Sequence, residues 1–468
     1  MAAKSLGGTM APRIIHSKFE GSPLKLVAIS LCALAGAFNF GITIGYSSSS
    51  IPSMIRRGVL TKAEGSWFGS LLTIGALVGG PLGGWCIEKF GRKLSITFLS
   101  IPFAAGFFII SSATETFHCY LGRFCTGIGS GMVTVCVPIY IAEIATTSMR
   151  GVLGASVQLM ITIGIAITYI LGMFLEWRFL STVCVVPCVL GGFLTFFMPE
   201  TPRWLLMKNR KTEAIKALQA LRDPHANVQE ECKELEDGAD PEENVSFREI
   251  VRKRELSYPL FVCVCIMIYQ QLSGINPVMF YTVSIFESAV GEFAYTATVI
   301  IGIVQVFGTI TSVLLIDKMG RRKLLHFGGL IMAVTLFFFG LYYKLSASGM
   351  MGDVMNRWFP VFCLTVYIIG FSLGWGPIPM LIMSETIPKK CKGVAGSVAI
   401  IASWGSAFLV TSQFTTMQDM LGNSGIFYFF SFCCVLAIWF VAKYVPETKG
   451  KSLEDIELFF AGKSTMLV

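Results

Sequence analysis

Long apolar runs separated by short polar segments dominate the pattern of this chain. A run of roughly 20 apolar residues, coiled into a helix, is long enough to cross a hydrocarbon core of about 30 Å. Glycine and proline inside the runs fit such helices, because neighbouring helices can satisfy the backbone groups that they free. The pattern predicts twelve membrane-spanning helices, at 26–48, 66–87, 94–114, 118–142, 152–174, 179–198, 258–284, 294–316, 324–343, 358–384, 393–416 and 425–443.

The polar segments between these runs repeat in the same order in the two halves of the chain. The first half contains EKFGRK at 88–93, PIYIAEIATTSMRGVLG at 138–154 and PETPRW at 199–204. The second half contains DKMGRRK at 317–323, PMLIMSETIPKKCKGVAG at 379–396 and PETKGK at 446–451. The repeat predicts two homologous bundles of six helices that face each other. Transporters are commonly built this way, with the substrate held between the repeats.

Composition agrees with an all-α membrane protein. Hydrophobic residues make up 54% of the 468 residues, only 14% are charged, and the mean hydropathy is +0.67. A soluble chain would carry about a quarter charged residues. The predicted domains are a cytoplasmic N-terminus at 1–25, an N-terminal six-helix bundle at 26–198, a cytoplasmic helical linker at 199–257, a C-terminal six-helix bundle at 258–443 and a cytoplasmic tail at 444–468.

Basic residues predict the orientation in the membrane. Thirty of the 37 Lys and Arg residues lie in the segments on the same side as the N-terminus. The positive-inside rule therefore predicts that both termini and the linker are cytoplasmic. The net charge of +8 has the same origin, so we expect no nucleic-acid partner. The first 23 residues are too polar for a cleavable signal peptide.

The repeated segments, together with QQLSGIN at 270–276, resemble those of the sugar-porter branch of the major facilitator superfamily. The resemblance covers about residue 25 to 458. SWFGS at 66–70, QLM at 158–160, GWGPIP at 374–379 and AFLVT at 407–411 are similar to class III facilitative hexose transporters, and insect trehalose carriers are near relatives. The resemblance implies the major facilitator fold, with a small-molecule sugar and the lipid bilayer as partners and no obligate protein partner.

Charged residues at the helix ends have a physical interpretation of their own. Acids and bases at matching ends of two bundles can pair when that side is closed and separate when it opens, although water screens them. The resemblance implies that they form a conformational latch; the alternative is that they only cap helices and set topology. The predicted gating residues are Glu88, Arg92, Glu143, Arg150, Arg203, Asp317, Arg321, Arg322, Glu385, Lys392, Gly374, Gly376, Pro377 and Pro379. Lys392 stands where the family usually has Arg.

Neutral polar residues inside the spans are the candidate binding residues. An amide offers both a donor and an acceptor, which suits the hydroxyls of an uncharged sugar. The alternative is that such residues join helices by hydrogen bonds. Pro277 lacks an N–H and frees the carbonyl of Ser273, so we expect an irregular segment at 273–277. Pro377 and Pro379 free two further carbonyls, which makes span ten a predicted gate.

The resemblance implies a sugar-contact role for several of these positions. Gln305 stands where Asn is usual, Ser372 where Glu is frequent in plasma-membrane carriers, and Met380 where a Trp usually follows GPIP. Met is flexible and lacks an indole N–H, so we expect looser discrimination among sugars. The predicted substrate-binding residues are Gln158, Gln270, Gln271, Asn276, Gln305, Ser372, Met380 and Trp404.

These residues favour a facilitative hexose uniporter, with glucose as the expected substrate. Coupled sugar porters have an Asp in span one at the position of Thr43, and span one has no acid or base from Leu26 to Ile55. A proton symporter, a trehalose carrier and a non-transporting sugar sensor are the alternatives. We expect no catalysis, no cofactor and no metal. The plasma membrane and an endosomal or lysosomal membrane are both compatible with the sequence.

Overall fold

The computed structural model describes residues 23–146, 149–223, 226–237, 247–388, 391–451 and 453–460. The elements within these residues are helices and the turns that connect them. The first six spans are single helices, and a short 3-10 turn at Thr195–Phe197 follows the sixth. They are α1 (Pro23–Arg56), α2 (Lys62–Lys89), α3 (Arg92–Ser111), α4 (Thr116–Ile144), α5 (Arg150–Phe174) and α6 (Trp177–Leu194).

Short helices form the linker between the bundles. They are α7 (Pro202–Met207), α8 (Lys211–Leu221), α9 (Val228–Asp237) and α10 (Phe247–Arg252). Arg222 fixes the first part of the linker to the N-terminal bundle. Its side chain is 5% exposed, pairs with Glu231 at 2.7 Å and donates to the carbonyl of Ile144 at 3.0 Å.

The helices of the second half are broken more often than those of the first. Span seven consists of α11 (Arg254–Leu272), α12 (Ile275–Phe280) and α13 (Thr282–Val290), and spans eight and nine are α14 (Ala294–Met319) and α15 (Arg321–Ala347). Span ten consists of α16 (Asp353–Gly370), a π-helical turn at Phe371–Trp375 and α17 (Ile378–Thr386). The last elements are α18 (Lys392–Tyr444) and α19 (Leu453–Phe460).

Spans eleven and twelve are joined in α18. The helix is interrupted at Gly422, whose φ of 70° and ψ of 171° turn the chain between two helical halves. Among the described residues, eleven helical segments are long and apolar enough to cross a membrane, and the 52-residue segment Gly393–Tyr444 holds two crossings. The prediction of a multi-pass all-α membrane protein with twelve spans is therefore confirmed.

Spans two and four cross closely enough to exclude side chains at their contact. A Cβ atom on Gly79 would lie 2.1 Å from the carbonyl oxygen of Ile128. Small residues at such crossings let two backbones approach, which is how helices gain packing energy within lipid. By contrast, a Cβ on Gly84, one and a half turns further along α2, would meet no atom within 4 Å.

The two bundles meet where spans one and five face spans seven and eight, and where span two faces span eleven. We call the side with helices α7 to α10 the linker side, and the opposite side, with the turn at 57–61, the distal side. Hydrogen bonds join described residues of the two bundles in the distal half. They run from Val283 N–H to Ser48 Oγ (3.1 Å), from the Tyr281 hydroxyl to the Ser66 carbonyl (3.2 Å) and from the Tyr169 hydroxyl to the Met279 carbonyl (2.9 Å). The bundles are thus closed against each other on the distal side.

We predict that Gly79→Ala lowers the free energy of unfolding by about 1–3 kcal/mol, because the added methyl group must push spans two and four apart. Gly84→Ala is the matched control on the same helix, and we expect it to be neutral or to stabilise by up to about 1 kcal/mol through helix propensity. Thermal unfolding of both variants in detergent tests this. Equal melting temperatures would show that the crossing tolerates the methyl group.

Candidate functional site

The break in span seven lies at Ser273 and Gly274. Gly274 has a φ of 84° and a ψ of 12°, a left-handed conformation that favours glycine, and a Cβ there would also meet the ring of Phe430 at 2.6 Å. The expected irregular segment at 273–277 was too long, since α12 already begins at Ile275. Pro277 falls in the first turn of α12, where a helix leaves N–H groups without an intrahelical partner in any case.

Three carbonyls that lie opposite prolines at the breaks of spans seven and ten each receive a hydrogen bond from another span. The Ser273 carbonyl, opposite Pro277, accepts from the Tyr367 hydroxyl at 3.1 Å. The Leu373 carbonyl, opposite Pro377, accepts from Ser312 Oγ at 3.1 Å. We name these pairs carbonyl caps. They stabilise the helix breaks, because each of these buried carbonyl oxygens keeps a hydrogen-bond donor.

The third carbonyl cap uses one of the predicted binding residues. Pro379 frees the carbonyl of Trp375, and Gln270 Nε2 donates to that oxygen at 2.6 Å and to the carbonyl of Gly376 at 3.3 Å. Gln270 therefore fixes span seven to the bend of span ten. Its amide nitrogen has a structural partner in this conformation, as expected for the alternative in which amides join helices.

The remaining amides of span seven bind one another and span eleven. Gln271, which is 7% exposed, donates to Ser403 Oγ at 3.0 Å and, more weakly, to Gln270 Oε1 at 3.3 Å. Its own Oε1 accepts from Asn276 Nδ2 at 2.5 Å. The structure thus brings Gln270, Gln271 and Asn276 together, and adds Ser403, which the sequence analysis missed. Ser403 immediately precedes the predicted contact Trp404.

Gln305 and Ser372 hold polar atoms that lack a partner. Both residues are 3% exposed, and neither Gln305 Oε1 nor Ser372 Oγ has a hydrogen-bond partner among the described residues. The two spans that carry them touch, since a Cβ on Gly308 would lie 3.0 Å from Ser372 Cβ. A buried polar atom without a partner costs about 1–3 kcal/mol, which binding of a polar ligand would offset.

The other predicted contacts are more dispersed. Trp404 is half-buried and faces Phe40 of the other bundle, with ring centroids 6.0 Å apart. Gln158 is half-buried, and its side chain forms no hydrogen bond with the described residues. Met380 is half-buried and packs with Met267 in an apolar cluster. Among the described residues no hydrogen bond joins Gln158 to the span-seven amides, and the roles of Gln158 and Met380 in binding stay predictions.

A buried arginine in span four is the main feature that the sequence analysis missed. Arg123 is fully buried, donates from Nη1 to the Thr43 carbonyl at 2.8 Å and from Nη2 to Ser47 Oγ, and forms no ion pair with a described carboxylate. Its guanidinium lies 5.3 Å from the ring of Phe68 and 5.9 Å from that of Phe280 in the other bundle. The signal was visible as a basic residue inside the apolar run at 118–142, since ionisable residues within membrane spans are rare and functional.

Four of the predicted gating charges form two ion pairs, one within each bundle. Arg92 binds Glu143 at 2.7 Å in the N-terminal bundle, and Arg321 binds Glu385 at 2.9 Å in the C-terminal bundle. Pairing between the bundles stays a prediction for the state closed on the linker side. The side chains of Asp317 and Lys392 lie outside the described residues. Glu88, Arg150 and Arg203 are exposed, and none forms an ion pair with a described residue.

Two glutamates that the sequence analysis did not select complete these charge sets. Glu200 Oε1 accepts from the Arg92 N–H at 2.9 Å, and Glu447 Oε1 accepts from the Arg321 N–H at 3.0 Å. Glu447 Oε2 also accepts from the N–H of Arg322 at 3.1 Å. Burial raises the pKa of the Glu200 carboxyl, while backbone N–H donors, including those of Thr201 and Arg92, oppose that rise. Glu200 is therefore the PETPRW residue whose side chain contacts the first charge set in this conformation, and the gating role of Arg203 stays a prediction.

We predict that Gln270→Leu lowers the free energy of unfolding by about 1–3 kcal/mol, because the Trp375 carbonyl loses its cap while it remains buried. Gln158→Leu makes the same chemical change at a side chain without a hydrogen bond and is the matched control. Thermal unfolding without ligand distinguishes them. If both variants melt at the same temperature, the carbonyl cap does not stabilise the bend.

Comparison with known proteins identifies the family. Residues 27–460 match the family model described as sugar (and other) transporter. The chain is 39% identical over 460 residues to the mouse protein named solute carrier family 2, facilitated glucose transporter member 8, covering 94% of this chain and 95% of that protein. It is 37% identical over 450 residues to the facilitated trehalose transporter Tret1 of Anopheles gambiae, covering 93% of this chain and 56% of that protein.

Solved structures agree on the fold. The proton:xylose symporter XylE bound to 6-bromo-6-deoxy-D-glucose superimposes with a TM-score of 0.78 at 24% sequence identity, over 93% of this chain and 99% of that one. At this identity the likeness concerns the twelve-helix arrangement of the major facilitator superfamily. The match of the family model to nearly the whole chain and the identity to the mouse protein are decisive: this chain belongs to the sugar transporter family.

Proposed function

We propose that the protein is a facilitative carrier of a hexose, such as glucose, that works by alternating access. The observation that carries the proposal is the uncharged polar network at the two helix breaks, where Gln270, Gln271, Asn276 and Ser403 offer donors and acceptors without a carboxylate. Sugar hydroxyls need both kinds of partner. The relatives named facilitated glucose transporters support the same conclusion.

In this mechanism the sugar replaces bonds that the amides make among themselves. The Gln271–Asn276 and Gln271–Gln270 hydrogen bonds can open to receive hydroxyls, and Gln305 Oε1 and Ser372 Oγ can accept from the sugar without giving up a partner. Binding energy then depends on hydrogen bonds exchanged in a buried site. With the distal side closed, the sugar enters and leaves from the linker side.

Movement of the bundles would expose the site to the other side. The carbonyl caps allow spans seven and ten to bend without unsatisfied carbonyls, so these spans are the proposed gates. We place the linker side in the cytoplasm, because most basic residues lie there. The plasma membrane and an endosomal or lysosomal membrane are both proposed locations, and fluorescence imaging of the tagged protein distinguishes them.

Uniport is favoured over proton symport by the surroundings of Arg123. A coupled carrier needs a titratable group that changes its exposure to the two sides. Next to Arg123 this chain offers the Thr43 carbonyl and the Ser47 hydroxyl, neither of which exchanges a proton in the physiological range. The alternative substrate is trehalose, because relatives of 36–37% identity are named trehalose transporters. A sugar sensor without transport is the third possibility.

Uptake of radiolabelled sugars by the purified protein in liposomes tests the proposal. We expect glucose uptake to stop at equal concentrations on both sides, whatever the pH gradient, because no carboxylate of the described residues pairs with Arg123. Accumulation above the external concentration that a protonophore abolishes would show proton symport. Trehalose uptake faster than glucose uptake would favour a disaccharide carrier, and sugar binding without uptake would favour a sensor.

We predict that Gln271→Ala weakens sugar binding by about 1–2 kcal/mol, roughly 5- to 30-fold in the dissociation constant, because buried hydroxyls lose their partner. Gln418→Ala is the matched control, since Gln418 binds Asn423 beside the turn at Gly422, remote from the span-seven amides. Titration of purified protein with glucose measures both. If the folded Gln271 variant binds glucose as tightly as the wild type, the amide network only joins helices and does not contact the sugar.

A further inference from the structure

A single arginine at the end of span one reaches across the interface between the bundles on the distal side. Arg56 Nη2 donates to the Tyr295 hydroxyl at 2.6 Å, and Nη1 lies 3.6 Å from Glu287 Oε1. The guanidinium also lies 5.7 Å from the centroid of the Tyr295 ring. Glu287 is in α13 and Tyr295 is in α14, so both partners belong to the C-terminal bundle.

The neighbouring residue provides an internal comparison. Arg57 binds Glu176, which lies between spans five and six of its own bundle. The side chains of Arg57 and Glu176 are both 61% exposed, close to the 60% of Arg56. The two arginines are therefore adjacent in the chain and equally exposed to solvent. They differ in whether the acidic partner lies in the same bundle or in the other one.

Ion pairs on the linker side follow the pattern of Arg57. Arg92–Glu143 and Arg321–Glu385 each stay within one bundle, and rocking of the bundles as rigid bodies would leave them intact. Among the ion pairs between described side chains, Arg56–Glu287 is the one that joins the two bundles. It must break whenever the distal side opens.

We propose that Arg56, Glu287 and Tyr295 form a distal latch that biases the empty carrier towards the state closed on the distal side. The proposal rests on alternating access of the proposed function, but not on the identity of the sugar. An exposed ion pair, supported by a hydrogen bond and a cation–π contact, has an expected effect of about three- to tenfold on the equilibrium between the two states.

The structure provides a reporter of distal opening. The N–H of Val283 lies in the first turn of α13, where it has no helical partner, and it donates to Ser48 Oγ of the other bundle. Its hydrogen exchange requires separation of the bundles, and its rate follows the population of the open state. Hydrogen–deuterium exchange with fragmentation to single-amide resolution measures it on the full-length protein in lipid nanodiscs, without sugar.

We expect Arg56→Ala and Glu287→Gln each to speed exchange at Val283 about three- to tenfold. The double variant should exchange at nearly the rate of Arg56→Ala alone, because Glu287 acts in the latch only through Arg56. Exchange in spans two to four should stay unchanged, which excludes general unfolding. Glu176→Gln breaks the pair within one bundle and should leave Val283 at the wild-type rate.

The proposed latch is contradicted if Val283 exchanges at the wild-type rate in Arg56→Ala and Glu287→Gln, or if Glu176→Gln speeds its exchange equally. It is also contradicted if the effects of Arg56→Ala and Glu287→Gln on the exchange rate add fully in the double variant. Failure of the proposed function has a different signature. A protein that does not carry hexose would still show the exchange pattern of a latch, while liposome uptake of glucose would be absent.

Discussion

Backbone carbonyls that lose their helical partner within the bilayer are the constraint on which the rest of this structure depends. Lipid offers no donor, so a carbonyl that a proline frees within a membrane helix needs a partner from the protein or from ordered water. Tyr367, Ser312 and Gln270 supply the donors for Ser273, Leu373 and Trp375. The same arrangement recurs where Pro360 frees the Asn356 carbonyl, which accepts from the Tyr342 hydroxyl at 3.1 Å.

The carbonyl caps explain why the polar site lies where the helices break. A cap requires hydroxyl and amide groups that converge on one region from several spans, and those groups are also the partners that a neutral sugar needs. Gln270 connects the two roles, because it holds the bend of span ten with its nitrogen while its oxygen belongs to the amide network. In the proposed mechanism bending and binding would share these atoms, so that bound sugar would influence the bend of span ten.

The sequence predicted the parts of the molecule that depend on local chemistry. Apolar runs located the twelve spans, and the positions of Pro377 and Pro379 showed which carbonyls would be freed. The donors could not be predicted, because they come from spans that are distant in sequence, and Ser403 was missed for the same reason. Glu200 and Glu447 resemble other loop acids in the sequence. Only the fold places them beside the first N–H groups of α3 and α15. Arg123 was visible, but no sequence signal linked it to Thr43.

Arg123 gives the carrier a property that its substrate lacks. The proposed substrate, a hexose, is neutral, yet Arg123 holds a positive charge inside the membrane, and no described carboxylate compensates it. Moving a unit charge through the whole membrane field is worth about 2.3 kcal/mol per 100 mV. If the charge moved through roughly a tenth of the field as the bundles rock, its energy would change by about 0.2 kcal/mol per 100 mV. The resting orientation of an electroneutral carrier would then depend on membrane voltage.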